Sequence, residues 1–111
     1  ALITNKSRIF TEKLLDKLAL TSHFDVVVCG DDMAKKPSPE PLLFACKKLN
    51  AEPNKAIMIG DSKSDILAAK AANIDVIALS YGYNQGESLE DYNPQYLCDN
   101  FLDIIPVLTQ R

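Results

Sequence analysis

The chain has 111 residues, 47% of them hydrophobic, and a formal net charge of −3. That is enough apolar material for the packed core of one small domain, which excludes a disordered chain. No basic run exceeds Lys35-Lys36 or Lys47-Lys48, no apolar run nears the ~20 residues of a membrane span, and no signal peptide or lipidation motif is visible, which excludes nucleic acid and membrane as partners.

In chain order, short apolar runs alternate with helical patterns. Residues 1–3 end a strand, and Thr4-Asn5-Lys6 follow it. Residues 7–20 carry Phe10, Leu14 and Leu18 at i, i+4 and i+8, with Leu15 alongside, which predicts an amphipathic helix. His23 falls at a helix-to-strand turn and reads as a solvated or packing residue. Residues 25–29 form the second strand, closed by Gly30-Asp31-Asp32. Lys36 precedes Pro37-Ser38-Pro39, which opens a helix over 39–49 with Leu42, Cys46 and Leu49 on one stripe. Residues 56–59 are a third strand running into Gly60-Asp61-Ser62. Residues 64–72 are a short alanine-rich helix, whose small side chains allow close packing on a sheet. Residues 76–79 make a fourth strand, residues 81–94 a long loop, and residues 100–108 a last helix that Pro106 disturbs. Cys29, Cys46 and Cys98 are odd in number and lie in apolar segments. They read as buried thiols of a cytoplasmic protein, not as disulfides or metal ligands.

Strand–helix–strand repetition with short loops predicts βαβ units with right-handed crossovers. The fold class is α/β, a doubly wound, Rossmann-like parallel sheet with helices on both faces. Ligands of such sheets bind outside the carboxyl ends of the strands. Thr4-Asn5, Lys36 and the Asp61…Asp65 pair all follow strands, so they converge although they are distant in sequence.

Each has a plain alternative. Asp61 and Asp65 offer hard oxygens to Mg²⁺, Asp65 directly or through a water, or they only cap a helix. Thr4 and Asn5 make a phosphate cradle at a helix N-terminus, or again only a cap. Lys36, its backbone restricted by Pro37, offsets phosphate charge, or is a surface lysine. Taken together, a hydroxyl, an ammonium and an acidic pair at successive strand ends favour a phosphate and Mg²⁺ site.

These segments also carry a resemblance. Ile3-Thr4-Asn5-Lys6, Gly30-Asp31-Asp32, Lys36-Pro37-Ser38-Pro39-Glu40-Pro41-Leu42, Ile59-Gly60-Asp61-Ser62 with Asp65 and Ala68-Ala69-Lys70-Ala71-Ala72, and Tyr81-Gly82-Tyr83-Asn84 span essentially the whole chain. Through them it resembles the C-terminal half of a haloacid-dehalogenase-superfamily phosphatase, in the bacterial phosphoglycolate phosphatase branch. The resemblance implies Mg²⁺-dependent phosphomonoester hydrolysis through an aspartyl phosphate, with a small phosphorylated metabolite, 2-phosphoglycolate, as substrate. It implies that Thr4 and Asn5 bind the phosphoryl group and that Lys36 stabilises the phosphoaspartate and its transition states. It further implies that Asp61 is a Mg²⁺ ligand and that Asp65 supports the metal or Lys36.

The family's first motif, Asp-x-Asp-Gly-Thr at the end of its first strand, supplies the nucleophile and the general acid/base. No Asp-Gly pair occurs here, and the helical cap that follows that strand is absent too. The chain begins without Met in what looks like the second half of a strand. It therefore reads as one domain, residues 1–111, forming the C-terminal portion of a hydrolase core and inactive alone. The alternatives are a phosphate-binding structural module and a receiver-type phosphoacceptor domain, which orders its acidic residues, hydroxyl and lysine differently. In the family the first strand lies between those that end here at Ile3 and Ile59. Each backbone group left buried and unpaired costs ~1–3 kcal/mol. The gap is therefore expected to close by direct pairing, to be filled by another copy through exposed strand edges, or to hold further residues. An open slot in a lone chain would count against the strand order or against the reading as a portion.

Overall fold

The computed structural model describes residues 1–81 and 88–109. Five strands and four α-helices alternate among them: β1 (Leu2–Ile3), α1 (Arg8–Lys17), β2 (Val27–Val28), α2 (Glu40–Lys48), β3 (Ile57–Gly60), α3 (Lys63–Ala71), β4 (Asp75–Leu79), β5 (Tyr96–Cys98) and α4 (Ile104–Thr109). Part of the long loop, including Gly82, Tyr83 and Asn84 of the resembling segment, lies outside the described residues.

Local chemistry sets the helix ends. The Ser7 hydroxyl accepts the Phe10 N–H at the start of α1, and Ser62 and Asp65 form a capping box at the start of α3. The first three helices end alike. Ala19, Asn50 and Asn73 take φ of 57°, 54° and 59°. The next N–H then returns to the last turn, Leu20 to Leu15 O, Ala51 to Cys46 O and Ile74 to Ala69 O, each at 2.9 Å. Asn tolerates this left-handed conformation, whereas alanine at position 19 adopts it against its preference.

All strand pairs among the described residues are parallel, as the α/β reading requires. β1 pairs with β2 (Ile3 opposite Val28), and β4 lies between β3 and β5 (Gly60 opposite Ala78, Ile77 opposite Tyr96). Residues of β4 alternate between two layers. Val76 and Ala78 join a core with Leu42, Cys46, Ile66, Ala68 and Ala69, while Ile77 and Leu79 join Cys98 and Ile104. Helices therefore cover both faces of this sheet. Ala68 and Ala69 of α3 are fully buried against β3 and β4, as their size predicts, while Ala71 faces solvent.

Two expectations need correction. β5 has no counterpart among the predicted strands, since two of its three residues are exposed and it follows a loop. The apolar stripe of α1 is turned outward: Phe10 is 52% and Leu18 56% exposed, and the helix buries Thr11 and Leu15 instead. At its start α1 is tied down by Ser7, which caps it, and by Arg8, which binds Asp31 and Asp32.

The gap behaves differently from expectation as well. β1 and β3 flank it, but β1–β2 and β3–β4–β5 stay separate sheets and do not pair, which is the open slot that counts against the strand order or against the reading as a portion. Between them runs a slot of about 280 Å³, lined by Leu2 and Ile3, by Ile57 and Ile59, and by Leu42 and Cys46 of α2. The penalty invoked for closure applies to buried groups, and this slot is open to water: Ile59 at its edge is 39% exposed. Side chains of α2 underlie both halves, with Ile3 and Met58 against one shared core, so the halves keep their spacing without strand pairing.

Candidate functional site

Three strand ends meet in one hydrogen-bonded cluster. At the end of β1 the Thr4 N–H donates to Val28 O (3.0 Å), and the Thr4 hydroxyl accepts the Lys6 N–H (3.1 Å). That hydroxyl keeps its own proton to donate. The loop after β2 presses against this turn. Gly30 N–H donates to Lys6 O (2.7 Å), and a Cβ at Gly30 would stand 2.0 Å from Asn5 O, so a side chain there would collide with main chain.

Farther along that loop lies Lys36, joined to Pro37 by a cis peptide bond. Its main chain is gripped by the Asn5 side chain: Lys36 N–H donates to Asn5 Oδ1 (3.1 Å), and Asn5 Nδ2 donates to Lys36 O (3.2 Å). Its ammonium donates to Ile3 O (3.0 Å) and to Asp65 Oδ1 (2.6 Å). The Lys36 and Asp65 side chains are only 9% and 7% exposed. A buried ion pair is tolerable when its other polar atoms are also satisfied. Here Asp65 Oδ2 accepts from Asp61 N–H (3.0 Å), Ser62 N–H (3.2 Å) and Ser62 Oγ (3.1 Å).

Gly60 makes this turn feasible by close approach. A Cβ on Gly60 would lie 2.4 Å from both Cβ and Oδ2 of Asp65. Any other residue would push the carboxylate out of the turn and away from Lys36. Asp61 follows at the end of β3, half-buried, its N–H turned to Asp65. Thr4, Asn5, Lys36 and Asp65 are thus linked directly or through a neighbour's main chain, and Asp61 joins them through its backbone. Among the described residues no three His, Cys, Asp or Glu side chains cluster as a ready-made metal cage.

A second charged group was not predicted. Arg8 binds Asp32 through two nitrogens (3.1 and 2.5 Å) and reaches Val27 O (2.9 Å), while its N–H donates to Asp31 Oδ1 (2.9 Å). Asp32 also accepts the Cys29 N–H (2.8 Å). The Arg8 contact first, and then the Cys29 N–H, hold the Asp32 carboxyl below the usual carboxylate range. The clue available in sequence was position: Arg8 and Asp31-Asp32 stand just past the ends of β1 and β2, which pair. His23 is exposed, and all three cysteines are buried free thiols. Burial pushes the Cys46 and Cys98 thiols up, with help at Cys98 from Asp103 and Asp99.

Residues 1–79 match the haloacid dehalogenase-like hydrolase family. The chain belongs to that family. This haloacid dehalogenase-like chain is 49% identical over 106 residues to the phosphoglycolate phosphatase of Colwellia psychrerythraea, covering 95% of this chain and 47% of that one. It is 44% identical over 109 residues to the phosphoglycolate phosphatase of Nitrosococcus oceani, covering 97% and 48%. The crystal structure of a predicted phosphoglycolate phosphatase from Haemophilus somnus superposes with a TM-score of 0.89 at 30% identity, over 96% of this chain and 48% of that one. The chain spans about half the length of the relatives it matches. Family membership sets aside the receiver-domain alternative. Among the described residues, no helix of this haloacid dehalogenase-like chain is long and apolar enough to cross a membrane.

Proposed function

We propose that this chain forms the phosphoryl-binding part of a Mg²⁺-dependent phosphomonoester hydrolase acting on 2-phosphoglycolate. One observation carries the reading: the Lys36 ammonium is fixed between Ile3 O (3.0 Å) and Asp65 (2.6 Å), at the strand ends that also bear Thr4 and Asp61. A cation held there needs no reorganisation as charge develops on phosphoryl oxygens. The Thr4 hydroxyl donates to one of those oxygens. Asp61 would hold Mg²⁺ through a hard carboxylate oxygen, a fit for an ion that takes one or two carboxylates together with phosphate and water. When bound, that ion neutralises phosphoryl charge. Asp65 supports Lys36 instead of the ion, because its two oxygens already accept from four donors. The substrate rests on the relatives named phosphoglycolate phosphatase. The reaction runs through an aspartyl phosphate whose nucleophile lies outside these 111 residues.

The test is an assay with phosphoglycolate and p-nitrophenyl phosphate in the presence of Mg²⁺. The 111-residue chain should give no turnover. In a longer protein that adds an upstream Asp-x-Asp-Gly-Thr segment, Asp61→Asn should weaken Mg²⁺ binding and lower kcat at least ~10²-fold. Asp31→Asn should do less, since its carboxylate serves the Arg8 N–H. Turnover by the chain alone that disappears on Asp61→Ala would refute the division of labour proposed here.

A further inference from the structure

We propose that the Asn5 carboxamide positions Lys36 and is not itself a ligand of the phosphoryl group; this rests on the reading of Lys36 given above. The carboxamide makes two reciprocal bonds to one residue, accepting from Lys36 N–H (3.1 Å) and donating to Lys36 O (3.2 Å). Lys36 lies in the turn that Ser38 N–H closes on Lys35 O (2.9 Å), so its own N–H and C=O have no strand or helix partner. Asn5 supplies both of those partners.

This clamp sets the direction of the Lys36 side chain. Fixing a lysine costs rotamer entropy. Holding its main chain on both sides of Cα meets part of that cost before any anion arrives. The ammonium is then delivered to Ile3 O and Asp65 with the side chain only 9% exposed. Asn5 is itself seated by Gly30, where no Cβ can fit against its main chain. As a phosphoryl donor Asn5 would be poorly equipped: its oxygen and one of its two N–H groups already serve Lys36. Serine at position 5 would keep a donor for an anion but would be too short to span the Lys36 main chain. That difference separates the two roles.

The experiment uses the 111-residue chain and inorganic phosphate, titrated by phosphorus NMR, in the wild type, Asn5→Ala, Asn5→Ser, Lys36→Met and the two double variants. Asn5→Ala and Asn5→Ser should weaken binding alike, about tenfold, within the range seen for residues in direct contact. Neither should weaken it further in the Lys36→Met background. In parallel, the Lys36 ammonium cross-peak in a nitrogen-15 spectrum, slow to exchange because it is bonded and buried, should vanish in Asn5→Ala while the far-ultraviolet circular dichroism stays unchanged. Additive losses from Asn5→Ala and Lys36→Met, or affinity kept by Asn5→Ser, would overturn the proposal and make Asn5 a phosphoryl donor. Should the wild type itself bind no phosphate, the phosphoryl-site reading fails separately. The cross-peak then decides alone: its loss in Asn5→Ala upholds the clamp, and its persistence overturns it.

Discussion

On the β3–β4 side of the slot, Ile66, Ala68, Ala69, Val76, Ile77 and Ala78 are all 0% exposed, whereas across it α1 leaves Ile9 72%, Phe10 52% and Leu18 56% open to solvent. The first side is held by close packing of an alanine-rich helix on a three-stranded sheet. The second has two strands of two residues each, buries only the side chains of Thr11, Leu15, Val28 and Cys29 from α1 and the β2 segment, and adds polar clasps: Arg8 on Asp32, Asn5 on the Lys36 main chain, and Lys36 on Asp65. The proposed phosphoryl-binding residues Thr4 and Lys36 belong to the clasped side, and Asp61 and Asp65 to the packed side. Directional bonds fix side chains to within tenths of an ångström, and apolar packing supplies the rigid base against which they act.

The contrast can be broken first at the packed side. Ile66→Ala should destabilise the chain by about 2–5 kcal/mol, because a fully buried methyl-rich side chain leaves a cavity that its neighbours cannot close. Chemical denaturation with a shared slope gives the number. A loss below ~1 kcal/mol would mean that this side is not the main source of stability.

A smaller effect is expected from Asp32→Asn, on the order of 1 kcal/mol at neutral pH, since Arg8 is 39% exposed and solvent screens the pair. The dependence on pH sharpens it. The Asp32 carboxyl titrates below its ordinary range in the folded chain, chiefly through the hydrogen bond from Arg8. Its contribution is therefore complete above the unfolded value of about 4 and is lost as pH falls through the folded one. Melting temperatures from pH 5 to pH 2 should fall more steeply in the wild type than in Asp32→Asn. Parallel curves would remove the clasp from the stability account.

The smallest change belongs to Leu18→Ser on the open face of α1. It should alter stability by less than ~0.5 kcal/mol, since the side chain is already 56% exposed. A loss comparable to that of Ile66→Ala would show that α1 is covered in solution.

Much of the architecture could be read from residues alone. Val26-Val27-Val28-Cys29 and Ile57-Met58-Ile59 read as strands and are strands, although β2 is only Val27–Val28 and β3, with Ile59 39% exposed, is not buried on both faces. Ser7, Ser38-Pro39 and Ser62 mark the helix starts to within a residue or two, because capping is a matter of neighbouring atoms. The strand-end rule brought Thr4, Asn5, Lys36, Asp61 and Asp65 to one side of the fold without coordinates. β5 was not legible, since Tyr96 and Leu97 are exposed and pairing with β4 alone makes them a strand. The outward turn of α1 escaped too, because periodicity reports which side of a helix is apolar and not what stands opposite it.

What the sequence by itself determined is therefore local and repetitive: element type, helix caps, and the chemical kinds of group that follow each strand. Tertiary structure decided which atoms those groups meet. Asn5 spends its amide on Lys36, Asp65 takes the ammonium on one oxygen and the turn before α3 on the other, and Gly60 and Gly30 are required by close approach. Each of these joins residues on different strand ends or fits one chain segment against another. Hydrogen bonds of this kind depend on distances of a few tenths of an ångström, and spacing along a chain carries no record of them.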